Sequence, residues 1–178
     1  MIYKKIKIRN KTFSNRVTIS PMCQYSAING KPDKWHYRHL SNLVESGAGS
    51  LTVESTAISK IGRITKKDLC IYNQNQMKSH KKLLKYLKNI RDIPIILQLS
   101  HSGRKGSAEI PWIKKNTSLK KPYSWKTYAP SKIKRDNKWP FPKEMTNKVI
   151  KKTIKDFKNS ARLAFKAGYD GVEIHMAH

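Results

Sequence analysis

Gly171-Val172-Glu173-Ile174-His175-Met176-Ala177-His178 closes the sequence, and Arg16-Val17-Thr18-Ile19-Ser20-Pro21-Met22-Cys23-Gln24-Tyr25 stands near its start. Each stretch begins as a short buried strand and continues directly into side chains that can bind or react. α/β barrels place reactive side chains in this way, at the carboxyl ends of parallel strands. The two stretches therefore favour a parallel α/β sheet with a functional site at one end.

Between these stretches, strands alternate with amphipathic helices. Short apolar or β-branched runs predict strands at residues 16–20, 50–54, 94–99 and 171–175. Apolar residues at helical spacing predict helices at about 34–46, 77–89 and 146–168. Near-continuous apolar strands that alternate with helices are typical of a parallel sheet covered by helices.

Two architectures share this order of elements. A doubly wound sheet normally has a glycine-rich phosphate loop after its first strand, but Ser20-Pro21-Met22-Cys23 occupies that place and no G-x-G-x-x-G occurs. A barrel instead collects polar residues at the ends of several strands. We therefore predict an α/β fold of the (β/α)8 TIM-barrel type. Because a complete barrel takes about 250 residues, the 178 residues are predicted to hold only its first four β/α units.

A long segment at about 101–144 interrupts the alternation. It is rich in Pro, Trp, Lys and Ser and has no sustained period of either kind. Connections inside compact domains are short, so a segment of this length indicates a functional excursion. Residues 1–178 are accordingly assigned to the N-terminal half of a single barrel domain that carries this excursion.

The composition limits the classes of function. Lys and Arg number 38 against 11 Asp and Glu, a net charge of +27, which alone indicates a polyanionic partner such as RNA. The lysines are scattered, however, without a dense basic block interleaved with aromatic residues, so no specific nucleic acid is expected. Two cysteines without metal-ligand spacing favour a reducing compartment, the cytoplasm. No apolar run is long enough to cross a membrane.

Three side chains near strand ends are candidates for binding. Cys23 has a polarizable sulfur suited to a flat ring, although a small buried apolar role is also open. Tyr25 can hydrogen-bond a substrate oxygen or serve as an ordinary interface residue. Gln98 lies in an otherwise apolar strand, where an unpaired amide would cost roughly 1 to 3 kcal/mol. It therefore needs a partner, either the edge of a pyrimidine-like ring or neighbouring backbone.

His175 and His178 converge at the end of the last predicted strand. A His-x-x-His spacing can hold a metal, but no cysteine cluster, carboxylate set or His-Glu-x-x-His helix supplies further ligands, so no metal site is predicted. The pair is better interpreted as two donors to one substrate oxygen, where they stabilise developing negative charge. Two histidines held by hydrogen bonds in the core are the alternative.

Taken together, the motifs resemble those of the old yellow enzyme family along the whole chain. The tryptophans of the excursion, with the cysteine of Ser-Pro-Met-Cys, are similar to the bacterial xenobiotic reductases and NADPH dehydrogenases of that family. The stretches that carry the resemblance are residues 15–25, Glu54-Ser55-Thr56-Ala57, Gly62-Arg63-Ile64-Thr65, residues 98–105, Ala129-Pro130-Ser131, residues 170–178, and Trp112, Trp125 and Trp139.

The resemblance implies an FMN-bearing (β/α)8 barrel that takes hydride from NADPH or NADH and passes it to an activated alkene, a nitro compound or a quinone. It assigns the flavin to Ser20, Pro21, Met22, Cys23, Ala57 and Gln98, with Gln98 at the pyrimidine edge. It assigns the oxygen of a small electrophilic substrate to Tyr25, His175 and His178, the two histidines being the catalytic pair.

The family's proton-donating tyrosine and its phosphate-binding loops fall beyond residue 178. The resemblance therefore implies a truncated fragment that needs its C-terminal half, or a homo-oligomer. The rival hypothesis is a non-catalytic basic half-barrel module that binds RNA or another polyanion.

Overall fold

A four-stranded parallel sheet forms the centre of the fold. The computed structural model describes residues 1–177. The sheet strands are β3 (Thr18–Ile19), β4 (Ser50–Ala57), β5 (Ile95–Ser100) and β8 (Gly171–Ile174), which lie side by side in that order. All neighbouring pairs are parallel. The predicted α/β class with a parallel sheet is confirmed.

Three helices connect these strands, namely α1 (Lys34–Glu45), α2 (Gln74–Ile90) and α3 (Asn147–Ala167). Thr146 begins α3 as predicted, because its side chain accepts a hydrogen bond from the Val149 amide at 3.4 Å. Gly168 ends the helix with φ of 103°, a left-handed conformation that favours glycine. The sequence signals at both ends of α3 therefore determine its length.

The apolar core lies between the sheet and the helices. Every residue of β4 is buried, and Leu83, Leu84 and Leu87 of α2 pack into the same cluster. Two large apolar residues of the helices lie outside this cluster, because their positions on α2 and α3 turn away from the sheet. These are Ile90, which is 37% exposed, and Ile154, which is 63% exposed.

The strand boundaries differ from the predicted ones mainly in β4. This strand continues three residues past Glu54, to Ala57, and its register with β5 shifts between Val53 and Thr56. Polar Ser55 and Thr56 concealed this extension because they interrupt the apolar pattern. The irregularity changes the direction of the side chains at the end of the strand, where a site can form.

An N-terminal hairpin, β1 (Ile6–Ile8) and β2 (Lys11–Phe13), was not predicted. It contacts the start of β8 through an ion pair between Lys11 and Asp170. Asp170 also accepts hydrogen bonds from Lys88 Nζ at 2.9 Å and from the Ile95 amide at 3.0 Å. One carboxylate therefore joins the hairpin, α2, β5 and β8.

The excursion at 101–144 contains more local structure than its composition indicated. It begins with a short 3-10 turn at Gly103–Lys105 and includes two paired strands, β6 (Tyr128–Ala129) and β7 (Lys143–Glu144). Trp139 is 2% exposed and anchors the segment to the body of the protein. None of the helices in the described residues is long and apolar enough to cross a membrane.

Candidate active site

A cavity of about 350 Å³ opens at the carboxyl ends of the central strands. Five residues singled out from the sequence meet here, from the loop after β3, from β5 and from the residue that follows β8. They are Pro21, Cys23, Tyr25, Gln98 and His175. The rest of the lining consists of Ser55, Ile64, Ser100, His101, Ser102, Lys105 and Arg135.

The other residues assigned from the sequence lie elsewhere. Ser20 and Met22 line a separate narrow crevice of about 10 Å³ beside Glu54. Ala57 is buried, and its backbone pairs with Leu69 and Ile71. His178 lies outside the described residues. The cavity thus contains part of the predicted set, and the roles assigned to all of these residues remain predictions.

The loop after β3 is held by the neighbouring strand. The Gln24 amide donates to Glu54 Oε2 at 2.8 Å, and the Trp35 indole donates to the Gln24 side chain at 3.2 Å. Tyr25 adopts φ of 47°, a left-handed conformation that is uncommon for a side chain of this size. Such strain persists only where the surroundings fix the backbone, and it is frequent at binding sites.

Glu54 also connects the loop to helix α1. Its Oε1 lies 3.1 Å from His36 Nε2, and both side chains are almost fully buried. His36 Nδ1 accepts from the Asp33 amide at 3.1 Å, so the proton of a neutral His36 is on Nε2 and faces Glu54. Glu54 therefore fixes the positions of the loop and the helix relative to β4.

The thiol of Cys23 and the phenol of Tyr25 both line the cavity and lie close enough for each to affect the pKa of the other. Burial, with the nearby charges of Glu54 and Asp68, raises the pKa of Cys23 to about 12. Burial likewise raises the pKa of Tyr25 well above its usual value. Both groups therefore remain protonated and neutral at pH 7, and Tyr25 is available as a hydrogen-bond donor.

Gln98 has the partner that its apolar strand required. Its amide nitrogen donates to Glu173 Oε1 at 2.5 Å, across the β5–β8 pair. This contact directs the amide, and no described residue donates to its oxygen. An amide oriented in this way can accept a hydrogen bond from a ring N–H of a ligand.

Two serines in the cavity were missed by the sequence reasoning. Ser55 Oγ and Ser100 Oγ are 2.5 Å apart, which links the ends of β4 and β5. Ser100 was expected only as part of a strand end, and Ser55 fell beyond the predicted end of its strand. Correct placement of the irregularity in β4 would have been needed to find the pair.

His101 presents a buried donor without a partner. Its Nδ1 accepts from the Gly103 amide at 3.2 Å, so the neutral ring carries its proton on Nε2, for which the described residues supply no acceptor. Burial lowers the pKa of His101, which keeps the ring neutral. Arg104 is not part of the cavity lining, and it donates to Ser131 Oγ at 3.1 Å.

Metal ligands do not converge anywhere among residues 1–177. The site instead combines a polarizable sulfur, an oriented amide, two linked hydroxyls, a phenol and imidazoles above a rigid sheet. This set suits a flat heteroaromatic ring with a polar edge, and a second ligand whose oxygen needs hydrogen-bond donors.

Comparisons with known proteins identify the family of the chain. The model of the NADH:flavin oxidoreductase / NADH oxidase family matches residues 1–178. The chain belongs to this family. Its predicted membership of the old yellow enzyme family is thereby confirmed.

Among curated relatives, the chain is 36% identical over 181 residues to an NADH:flavin oxidoreductase of Gibberella zeae, with 99% of the chain and 44% of the relative covered. It is 35% identical over 179 residues to an NADPH dehydrogenase of Listeria monocytogenes, with 99% of the chain and 48% of the relative covered. An NADPH dehydrogenase of a Geobacillus species is 36% identical over 180 residues, with 100% of the chain and 48% of the relative covered. The chain thus spans about half the length of these relatives.

Solved structures of the old yellow enzyme family have the same fold. Morphinone reductase superposes with a TM-score of 0.83 at 21% identity, with 98% of this chain and 47% of the other covered. The old yellow enzyme homologue of Zymomonas mobilis superposes with a TM-score of 0.79 at 22% identity, with 98% of this chain and 48% of the other covered. The predicted fold, half of a (β/α)8 barrel, is therefore confirmed.

The residues of the cavity fit the ring of the flavin that this family uses. Gln98 and the Ser55–Ser100 pair offer polar groups at one end, and Cys23 places a neutral sulfur beside them. The orphaned Nε2–H of His101 is a further donor in a lining where no acceptor from the described residues reaches it.

Proposed function

We propose that the protein is an FMN-dependent oxidoreductase that uses NADPH or NADH to reduce activated alkenes, nitro compounds or quinones. The observation that carries the proposal is the cavity in which Cys23, Tyr25, Gln98 and His175 converge at the carboxyl ends of parallel strands. The names of the relatives, NADH:flavin oxidoreductase and NADPH dehydrogenase, support it. Morphinone reductase, which shares the fold, has been determined in complex with tetrahydroNAD.

For an activated alkene, the overall reaction consumes one NAD(P)H and one proton. The β-carbon gains the hydride, the α-carbon gains the proton, and NAD(P)⁺ is released. When bound, FMN supplies a two-electron carrier that links the oxidation of the nucleotide to the reduction of the alkene.

We assign the cofactor to the floor of the cavity. Gln98 directs its amide at the pyrimidine edge, because Glu173 fixes the orientation of that amide. Cys23 lies beside the ring as a neutral thiol and adjusts its electronic properties. Further contacts are assigned to Ser20, Pro21, Met22 and Ala57, where the loop after β3 and the end of β4 approach the ring.

We assign the substrate oxygen to Tyr25, His175 and His178. The raised pKa of Tyr25 keeps its hydroxyl protonated, so it can donate to an oxygen on which negative charge develops. Imidazoles at 175 and 178 add donors of the same kind. Hydrogen bonds of this type strengthen as charge accumulates, and therefore stabilise the transition state more than the substrate.

Completion of the site requires groups from outside this chain. The strands β3 and β8 form the edges of the sheet, and Val172 and Ile174 of β8 are 41% and 55% exposed. We assign this edge to the second half of the barrel or to another copy of the chain. We assign the protein to a reducing compartment, the cytoplasm, because its two cysteines are free thiols.

The proposal is tested on the whole protein, with the remainder of its barrel. We expect flavin to co-purify, and NADPH oxidation to depend on 2-cyclohexenone or a quinone. The double variant His175→Ala, His178→Ala should retain flavin and bind a phenol at least about 10-fold more weakly, because two charge-assisted hydrogen bonds are lost. His39→Ala, a change on helix α1, is the control and should leave phenol affinity unchanged.

Two results would contradict the proposal. Phenol affinity that is the same in the double variant and the parent would remove the histidines from the substrate site. A protein without flavin that retards RNA in a salt-sensitive manner would favour the basic binding module instead.

A further inference from the structure

The rim of the cavity carries two positive charges and no negative one. Lys105 lies at the end of the 3-10 turn after β5, and Arg135 lies near the end of the excursion. No Asp or Glu is among the residues that line the cavity. Neither cation takes part in an ion pair within the described residues.

Arg135 is held in a fixed orientation with most of its donors available. Its guanidinium carbon lies 4.4 Å from the centre of the Trp139 ring, and Trp139 is 2% exposed. Its one hydrogen bond in the described structure is to Asn116 Oδ1 at 3.4 Å. A guanidinium positioned on a buried ring can bind a carboxylate through two parallel hydrogen bonds.

Lys105 is close enough to Arg135 for each to affect the charge of the other. Partial burial and the positive charge of Arg135 both lower the pKa of Lys105. Glu109 lines the adjoining cavity together with Arg135, and its Oε1 accepts a hydrogen bond from the Ile110 amide at 2.9 Å. Asp68 is engaged by the backbone of Ile64 and Thr65, and Glu173 by Gln98. An anion between the two cations would relieve this repulsion.

The position of the pair points to the substrate rather than the cofactor. Cys23 and Gln98 belong to the floor formed by the strand ends, whereas Arg135 comes from the excursion that passes over it. An adjoining cavity of about 220 Å³ shares three lining residues with the first cavity, namely Arg135, Tyr25 and Ile64. Tyr25 is the residue that we assign to the substrate oxygen, so an anion at Arg135 lies on the substrate's side of the site.

We propose that Lys105 and Arg135 form a subsite for a carboxylate on the electrophilic substrate. The inference rests on the proposed function and extends it to a substrate class, namely unsaturated carbonyl compounds, nitro compounds or quinones that also carry a carboxylate. The adjoining cavity accommodates the part of such a molecule that extends beyond the reacting atoms.

The test compares the binding of 4-nitrobenzoate and 4-nitrobenzamide, which have nearly the same shape, share the nitro group and differ in charge. Calorimetry on the flavin-loaded whole protein should show about 10-fold tighter binding of the carboxylate, and high salt should weaken this preference. The double variant Lys105→Gln, Arg135→Gln should lose the preference. Lys132→Gln removes an equal charge from an exposed position in the same excursion and should keep it.

Any one of three results would overturn the carboxylate subsite. The first is an equal preference for 4-nitrobenzoate in the parent and the double variant. The second is loss of bound FMN in the double variant, which would assign the pair to the phosphate of the cofactor. The third is a selective rise in KM for NADPH but not NADH, which would assign the pair to the 2′-phosphate of the nucleotide. Flavin retention and NADPH oxidation by the parent report separately on the proposed function.

Discussion

The imidazole of His80 is buried on helix α2. Its Nδ1 lies 2.7 Å from Tyr169 Oη and its Nε2 lies 3.2 Å from the Cys70 carbonyl oxygen. The carbonyl can only accept, so Nε2 carries the proton and Nδ1 accepts from the phenol. Burial lowers the pKa of His80 to about 4. The unfolded chain therefore binds a proton below about pH 6.5, whereas the folded protein does not until about pH 4.

This difference makes the free energy of unfolding fall as the pH is lowered through that range. We predict that His80→Gln removes this pH dependence. The free energy of unfolding of the variant, relative to that of the parent, should therefore rise by up to about 3 kcal/mol as the pH is lowered from 6.5 to 4. Urea unfolding at several pH values measures the effect. Tyr169→Phe is the control, because it removes the same hydrogen bond and keeps the imidazole. Parallel pH profiles for the two variants would show that His80 does not titrate in this way.

Individual site residues were predictable where they form part of a continuous motif. Four such residues lie near the ends of strands that can be predicted from the sequence, and all of them line one cavity. They are Cys23, Tyr25, Gln98 and His175. Arg135 was not predictable, because its position depends on Trp139 entering the core from a segment without periodicity. Ser55 was missed because the irregularity in β4 depends on register with β5.

At the scale of whole elements, Glu54 shows how the loop after β3 and helix α1 are positioned together. We predict that Glu54→Ala lowers the free energy of unfolding by about 1 to 3 kcal/mol, because it leaves the Gln24 amide without its acceptor and removes the carboxylate that lies beside His36 Nε2. Glu54→Gln keeps an acceptor oxygen and should cost less. Chemical denaturation of both variants gives the values.

The comparison for Glu54 is Glu45→Ala, at an exposed position at the end of α1. This change should alter the free energy of unfolding by less than about 0.5 kcal/mol. Equal losses at positions 45 and 54 would mean that Glu54 does not connect the loop to the helix.

The order of elements was more predictable than their limits. Hydrophobic periodicity identified the four sheet strands and the three helices, and the Thr146 and Gly168 signals located both ends of α3. The hairpin β1–β2 was missed because its burial is slight and it depends on Lys11 meeting Asp170, which is distant in the sequence. A local pattern contains no information about such a contact.

Over the whole molecule, large apolar side chains remain exposed on helix α3 and on the edge strand β8. On α3, Ile154 is 63% and Phe165 is 81% exposed, and on β8, Ile174 is 55% exposed. We predict that residues 1–178 expressed alone self-associate, and that association increases with salt, because the net charge of +27 repels copies of the chain when it is not screened.

Sedimentation velocity at about 0.01 M and about 1 M salt measures this association. The double variant Ile154→Lys, Phe165→Lys should be monomeric at both salt concentrations. Ile113→Lys with Ile133→Lys makes the same change in charge at exposed positions of the excursion and should associate less than the parent but more than the α3 variant. Identical behaviour of the two double variants would show that charge alone, and not the α3 surface, controls association.

Asp170 has a consequence for the order in which the protein folds. Its carboxylate binds Lys11, Lys88 and the Ile95 amide, which are separated from it by between about half and nearly all of the chain. Loops of this length close late in folding, since their entropy is lost before the contact compensates for it. The hairpin β1–β2 therefore obtains this anchor only after β8 has docked, and until then residues 6–13 remain open to exchange, proteolysis and chaperones.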